Sequence, residues 1–157
     1  MDGGKFAFIA SGGSEQQGIY VSDGSKITRI ADKTSKFPGI SGNIGWSSEV
    51  GFDQGNISFW AYIDDKISYP NFIGAYVNGS GLVTIASTAT AVPGAGTNFT
   101  GFSSPADLSG TTMVFPGYYS GGQGIYSASL SGGAITTIAN RPPAYGSTHS
   151  VTALGPF

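Results

Sequence analysis

Apolar residues in this chain come in short runs that alternate with polar ones, and the runs recur in groups of four. The first run of each group covers residues 5–10, 56–61 and 112–117, with Phe8, Phe59 and Phe115 in one register. The second covers 18–22, 74–78 and 124–128, and the third 26–31, 82–86 and 134–139. The fourth covers 46–52, 102–106 and 151–157. Alternation of period two with β-branched and aromatic enrichment predicts half-buried strands. Asp23-Gly24, Asn78-Gly79-Ser80-Gly81 and Ser131-Gly132-Gly133 lie between the second and third runs. They read as hairpin turns, where Gly or Asn supplies a positive φ. No stretch keeps a 3.6-residue apolar period, so almost no helix is expected.

The groups are copies of one another. Gly18-Ile19-Tyr20 returns as Gly74-Ala75-Tyr76 and Gly124-Ile125-Tyr126, and Ile30-Ala31 returns as Ile85-Ala86 and Ile138-Ala139. Pro38-Gly39 returns as Pro93-Gly94, with Tyr145-Gly146 nearby in the third copy. A period of roughly 54 residues marks a stacked or ring-shaped array. The expected architecture is all-β and β-propeller-like, with three four-stranded blades spanning about 4–54, 55–109 and 110–157 of a single repeat domain, 1–157. A β-trefoil and a three-sheet β-prism are the alternatives. Propellers use about 4–8 blades, so three imply a homodimer of six or part of a longer chain. The chain opens on a first strand and closes on a fourth, so the last strand is expected to complete the first sheet.

Composition sharpens this picture. Of 157 residues, 39% are apolar and 13% aromatic, enough for one domain's core, but only 10% are charged. A typical soluble protein carries about 25% charged residues, so solubility here rests on Ser, Thr, Asn, Gln and Gly. The 26 Gly and 8 Pro fall short of a low-complexity composition. Net charge is −2 and the seven Lys and Arg are scattered, so no cationic stripe for nucleic acid exists. No apolar run is long enough for a membrane-spanning helix, and the basic start and apolar core of a signal peptide are not seen in this chain. Cysteine is absent, which removes disulfides and thiolate chemistry.

One cassette carries a family resemblance. Val92-Pro93-Gly94-Ala95-Gly96-Thr97-Asn98-Phe99-Thr100-Gly101-Phe102-Ser103-Ser104-Pro105 is followed by Leu108-Ser109-Gly110, then Val114-Phe115, then Gly121-Gly122-Gln123-Gly124-Ile125-Tyr126. It resembles the repeat of a family of bacterial proteins from cyanobacteria and planctomycetes. The likeness covers essentially the whole chain and is best at the junction of the second and third copies. The first copy departs at Asn43-Ile44-Gly45-Trp46 and the third at Arg141-Pro142-Pro143-Ala144-Tyr145. The resemblance implies propeller-like repeats and an extracellular or cell-surface location, and it names no activity. Members are commonly longer than this chain.

Candidate chemistry is sparse. The lone His149 has no echo in the other copies and no nucleophile turn beside it. Carboxylates for glycoside hydrolysis or a weak calcium site would have to come from Glu49, Asp53, Asp64 and Asp65. Asp64-Asp65-Lys66 reads more simply as a solvated turn. No enzyme, cofactor or metal is therefore expected. Three Asn-x-Ser/Thr triplets, at Asn56, Asn78 and Asn98, are expected by chance in a Ser/Thr-rich chain. Aromatics that recur, such as Tyr20, Tyr76 and Tyr126, should be core. Those that do not recur, Trp60, Tyr62, Tyr69, Tyr118 and Tyr119, follow the first strands and would gather at one rim of a propeller. Together with Asp64 they would stack on sugar rings and hydrogen-bond hydroxyls, or else seal a subunit interface or simply pack. The expected function is a non-enzymatic extracellular binding or adhesion module with carbohydrate as a candidate ligand. The alternative is a structural protein that self-assembles into a closed dimer or a filament.

Overall fold

A computed structural model describes residues 3–13, 17–64, 68–103 and 106–141. Among them are twelve strands and no helix. The strands are β1 (Phe6–Ala10), β2 (Gly18–Ser22), β3 (Ile27–Asp32), β4 (Ile44–Asp53), β5 (Asn56–Ile63) and β6 (Asn71–Val77). They continue with β7 (Gly81–Ser87), β8 (Phe99–Phe102), β9 (Asp107–Ser109), β10 (Thr112–Tyr119), β11 (Gly122–Ser129) and β12 (Thr136–Arg141). They form three antiparallel sheets: β1-β2-β3 (sheet 1), β4-β5-β6-β7 (sheet 2), and β12-β11-β10-β8 with β9 also on β10 (sheet 3).

The sheets are cut one strand earlier than the repeats read from the sequence. The fourth strand of a copy pairs with the first strand of the next copy, β4 on β5 and β8 with β9 on β10. Sheets therefore run Phe6–Asp32, Ile44–Ser87 and Phe99–Arg141, not 4–54, 55–109 and 110–157. The reason is local. Only Gln54 and Gly55 separate β4 from β5, and both have positive φ, 50° and 78°. A two-residue turn of that kind forces its flanking strands to pair. The expected four strands per sheet are present only in sheet 2; the described residues give three strands in sheet 1 and five in sheet 3. The run expected at 102–106 is not one strand either. β8 and β9 lie end to end along β10, on Gly117–Tyr119 and Thr112–Val114. In β4 the register slips at the equivalent place, between Trp46 and Val50. The run at 151–157 lies outside the described residues.

The repeated Ile-Ala dipeptide marks a β-bulge. In sheet 1, Ile19 faces Ala31 but Tyr20 faces Arg29, so Ile30 is the extra residue. In sheet 2, Ile73 faces Ala86 and Gly74 faces Thr84, skipping Ile85. In sheet 3, Ile125 faces Ala139 and Tyr126 faces Thr137, skipping Ile138. A bulge bends its strand and raises its twist, so the dipeptide sets the same bend three times.

The sheets stack with sheet 2 in the middle. One side of it presents Ile57, Phe59, Ala61 and Phe72 to a buried cluster with Ile19 and Ala31 of sheet 1. The other side presents Ile73, Ala75 and Ala86 to a cluster with Phe99, Met113, Phe115 and Tyr126 of sheet 3. The connections after β3 and β7 insert Phe37 and Val92 into these clusters. Each residue opens the same turn, with Ile40 N–H to Phe37 C=O at 3.1 Å and Ala95 N–H to Val92 C=O at 3.2 Å. Gly39 and Gly94 carry φ of 74° and 73°. Pro followed by a residue of positive φ is a type II turn, which accounts for the recurring Pro-Gly.

One equivalence in the sequence reading is displaced. Phe8 faces Tyr20 and Phe115 faces Tyr126, but Phe59 faces Gly74, and Tyr76 lies two residues further along, opposite Ile57. Two residues keep the same sheet face, so the Gly-x-Tyr likeness survives with its register shifted. Phe59, Phe115 and Tyr126 are buried, as expected of core aromatics, while Phe8, Tyr20 and Tyr76 are half-buried.

Candidate functional site

Polar side chains on the sheet 3 side of sheet 2 form a ladder onto the backbone of sheet 3. Asp53 accepts from Gly110 N–H at 2.5 Å, and Asn56 Nδ2 donates to Gly110 C=O at 3.2 Å. Ser58 Oγ donates to Ala106 C=O at 2.7 Å, fully buried. Trp60 Nε1 donates to Phe102 C=O at 2.9 Å, and Asn71 Oδ1 accepts from Phe102 N–H at 2.8 Å. Asn56 Oδ1 also accepts from Asn78 N–H at 3.0 Å. These peptide groups lie at the end of the edge strand β8 (Phe102), in the gap before β9 (Ala106) and in the turn after it (Gly110), and burial would cost about 1–3 kcal/mol for each one left unsatisfied. These side chains satisfy them. Asp53, weighed in the sequence as a carboxylate for chemistry, is thus a strut between sheets, and Asn56 of the first Asn-x-Ser triplet is buried in the same ladder. The signal that could have identified the ladder is the alternation Asn56, Ser58, Trp60 opposite Ile57, Phe59, Ala61.

At the upper end of this ladder lies an aromatic cleft of ≈340 Å³ lined by Trp60, Tyr62, Tyr69 and Asn71. Trp60 and Tyr62 share a face of β5, with ring centroids 5.9 Å apart. Tyr69 comes from the β5–β6 connection and meets Tyr62 edge-on at 5.9 Å. Tyr69 is 50% exposed and has φ of 46°, a left-handed conformation uncommon for a bulky residue. Asn71, the register partner of Tyr62, was not anticipated from the sequence. Tyr62 is held in turn by Gly45 opposite it, where a β-carbon would lie 2.1 Å from the ring.

The six residues singled out in the sequence do not form one site. Trp60, Tyr62 and Tyr69 converge. Asp64 lines a separate cleft of ≈270 Å³ between sheets 1 and 2, with Lys33, Ser11 and the far side of Tyr62. Tyr118 and Tyr119 are consecutive in β10 and point to opposite faces of sheet 3, as strand pleating requires. Tyr119 packs on the cluster between sheets 2 and 3. Tyr118 is exposed on the outer face, its hydroxyl 3.3 Å from Ser103 Oγ. Tyr118 and Tyr119 therefore do not share a face with each other. Asp65 and His149 lie outside the described residues.

Among the described residues, Asp23 and Asp32 have lowered pKa values, and both sit at turns. Asp23 is held down to about 2 by the Ser25 and Lys26 N–H groups and the Ser25 hydroxyl. Asp32 is lowered chiefly by the Thr34 hydroxyl, with Arg29 at 3.1 Å contributing. Burial raises the Tyr126 hydroxyl.

No protein-family model matches the chain, and no curated protein matches it.

Proposed function

We propose that this chain is a non-enzymatic, extracellular or cell-surface binding module. Its three sheets are propeller-like blades, and its ligand, of the carbohydrate class, rests in the cleft of Trp60, Tyr62, Tyr69 and Asn71. The observation that carries the reading is Tyr69, half exposed on a left-handed backbone and braced edge-on against Tyr62. Strain of this kind costs about 1–3 kcal/mol and clusters at ligand sites. A rigid aromatic platform beside an amide suits stacking on a sugar ring with a hydrogen bond to its hydroxyls. Support for blades comes from the three stacked antiparallel sheets and the recurring bulge and Pro-Gly turn. The low charge and the family resemblance support the location.

Tyr69→Ala is the cleanest probe, because Trp60 also serves the ladder. On a glycan array followed by titration, wild type should bind at least one glycan class. Tyr69→Ala should weaken it about tenfold or more, equivalent to about 1.4 kcal/mol, while Tyr118→Ala on sheet 3 leaves it unchanged. Absence of signal on every glycan removes the carbohydrate reading.

A second reading, a self-assembling structural protein, is favoured by a different observation. Both terminal sheets expose large apolar side chains, Phe6 and Ile27 at one end and Ile125 and Ile138 at the other.

A further inference from the structure

The packing between successive sheets uses one repeated set of residues. Ile19 and Ala31 of sheet 1 are buried in one cluster with Phe59 of sheet 2. Ile73 and Ala86 of sheet 2 are buried in one cluster with Phe115 of sheet 3. Register makes Ile19, Ile73 and Ile125 equivalent, as it does Ala31, Ala86 and Ala139, and the bulged Ile30, Ile85 and Ile138. All three positions hold identical residues in the three copies. Ile30 and Ile85 pack on the next sheet, whereas Ile138 is 57% exposed. Ile19 and Ile73 are fully buried, whereas Ile125 is 38% exposed and Ala139 is exposed. This outer face holds an apolar groove of ≈270 Å³ lined by Pro116, Tyr118, Ile125 and Ala139 among others.

The complementary half of the set lies at the other end of the chain. Phe6, Ile57 and Met113 are equivalent by register, as are Phe8, Phe59 and Phe115. The members in sheets 2 and 3 are fully buried against the preceding sheet, but Phe6 is 42% exposed and Phe8 half-buried. Phe6, Phe8 and Tyr20 are already ordered as an aromatic strip, with centroids 5.7 and 5.8 Å apart. The third Ile–Ala–Phe set is thus split between the two ends of the molecule.

We infer that the outer face of sheet 3 docks the outer face of sheet 1 of a second copy of this chain, head to tail, repeating the internal sheet-to-sheet packing once more. This deepens the self-assembly reading and rests on it, adding which surfaces meet. The interface is heterologous, so it closes into a ring if the rotation per copy permits and otherwise grows as a filament.

Light scattering on the 157-residue chain across a concentration series tests it, with Phe6→Asp on one face and Ile125→Asp or Ile138→Asp on the other. Circular dichroism checks that each exposed-site variant keeps its strands. Wild type should reach at least twice the 16.0 kDa chain mass. Each variant alone should stay at the chain mass, and a Phe6→Asp plus Ile125→Asp mixture should form a one-to-one pair through the intact faces. A mixture of folded variants that stays monomeric overturns the inference. So does self-association that survives Ile125→Asp and Ile138→Asp, although the self-assembly reading would then stand on another surface. A wild type that stays at the chain mass at every concentration overturns both.

Discussion

At Gly74 an ideal β-carbon would lie 2.4 Å from Cε2 of Phe59, a fully buried ring. Sheets 1 and 3 place Tyr20 and Tyr126 at this point, each preceded two residues earlier by a glycine. Sheet 2 has the reverse order, Phe72 then Gly74, so the aromatic and the gap have traded places on one face. Gly74→Ala is therefore expected to destabilise the fold by about 1–3 kcal/mol, the range for overpacking. Urea unfolding would measure it, and unchanged or increased stability would mean that the Phe59 ring can move aside. That Gly74 rather than Tyr76 lies opposite Phe59 was not legible in the sequence, because Gly74-Ala75-Tyr76 imitates the motif of the other copies on the same face. Trp60 has a role its lack of a counterpart did not show: its indole N–H is committed to Phe102 C=O.

Among the elements, the turns carry the most local information. The β2–β3 hairpin is fastened by Asp23, whose carboxylate accepts from Ser25 and Lys26 N–H and has its pKa lowered from 3.8 to about 2. A carboxylate lowered on folding adds stability above its unfolded pKa, and that stability is lost as pH falls through the folded value. The difference in thermal midpoint between wild type and Asp23→Asn should thus be constant near neutral pH and shrink between about pH 4 and about pH 2. A difference unchanged at the acid end would show that the charge does not fasten the turn. The hairpins and most strands were legible because each depends on a few adjacent residues. The break between β8 and β9 was not, since the backbone groups beside and within it, at Phe102 and Ala106, are satisfied by side chains from another sheet.

For the whole molecule, the central sheet should be the most stable part. Sheet 2 buries both faces, and Ile57, Phe59, Ala61, Phe72, Ile73 and Ala75 are all buried within it. Sheets 1 and 3 are each packed on one face by the described residues. Native-state hydrogen exchange should show the highest protection in β5 and β6 and lower protection in β3 and β12, because opening free energy follows burial. Equal protection in β12 would indicate that its outer face is covered, as head-to-tail docking requires at high concentration, so exchange measured against dilution separates the two situations.

The sequence by itself determined the all-β character, the threefold repeat, the hairpin turns and the burial of Phe59 and Phe115. These follow from period-two alternation and from turn chemistry, which act over a few residues. Only the tertiary structure decided which sheets the fourth strands of the first two copies join and that Ile30, Ile85 and Ile138 are bulges. It alone brought Tyr69 and Asn71 together with Trp60 and Tyr62, and it put Tyr118 and Tyr119 on opposite faces. Those outcomes depend on cross-strand register and on contacts between distant segments. One residue of register exchanges the two faces of a strand, so composition and spacing along the chain leave them open.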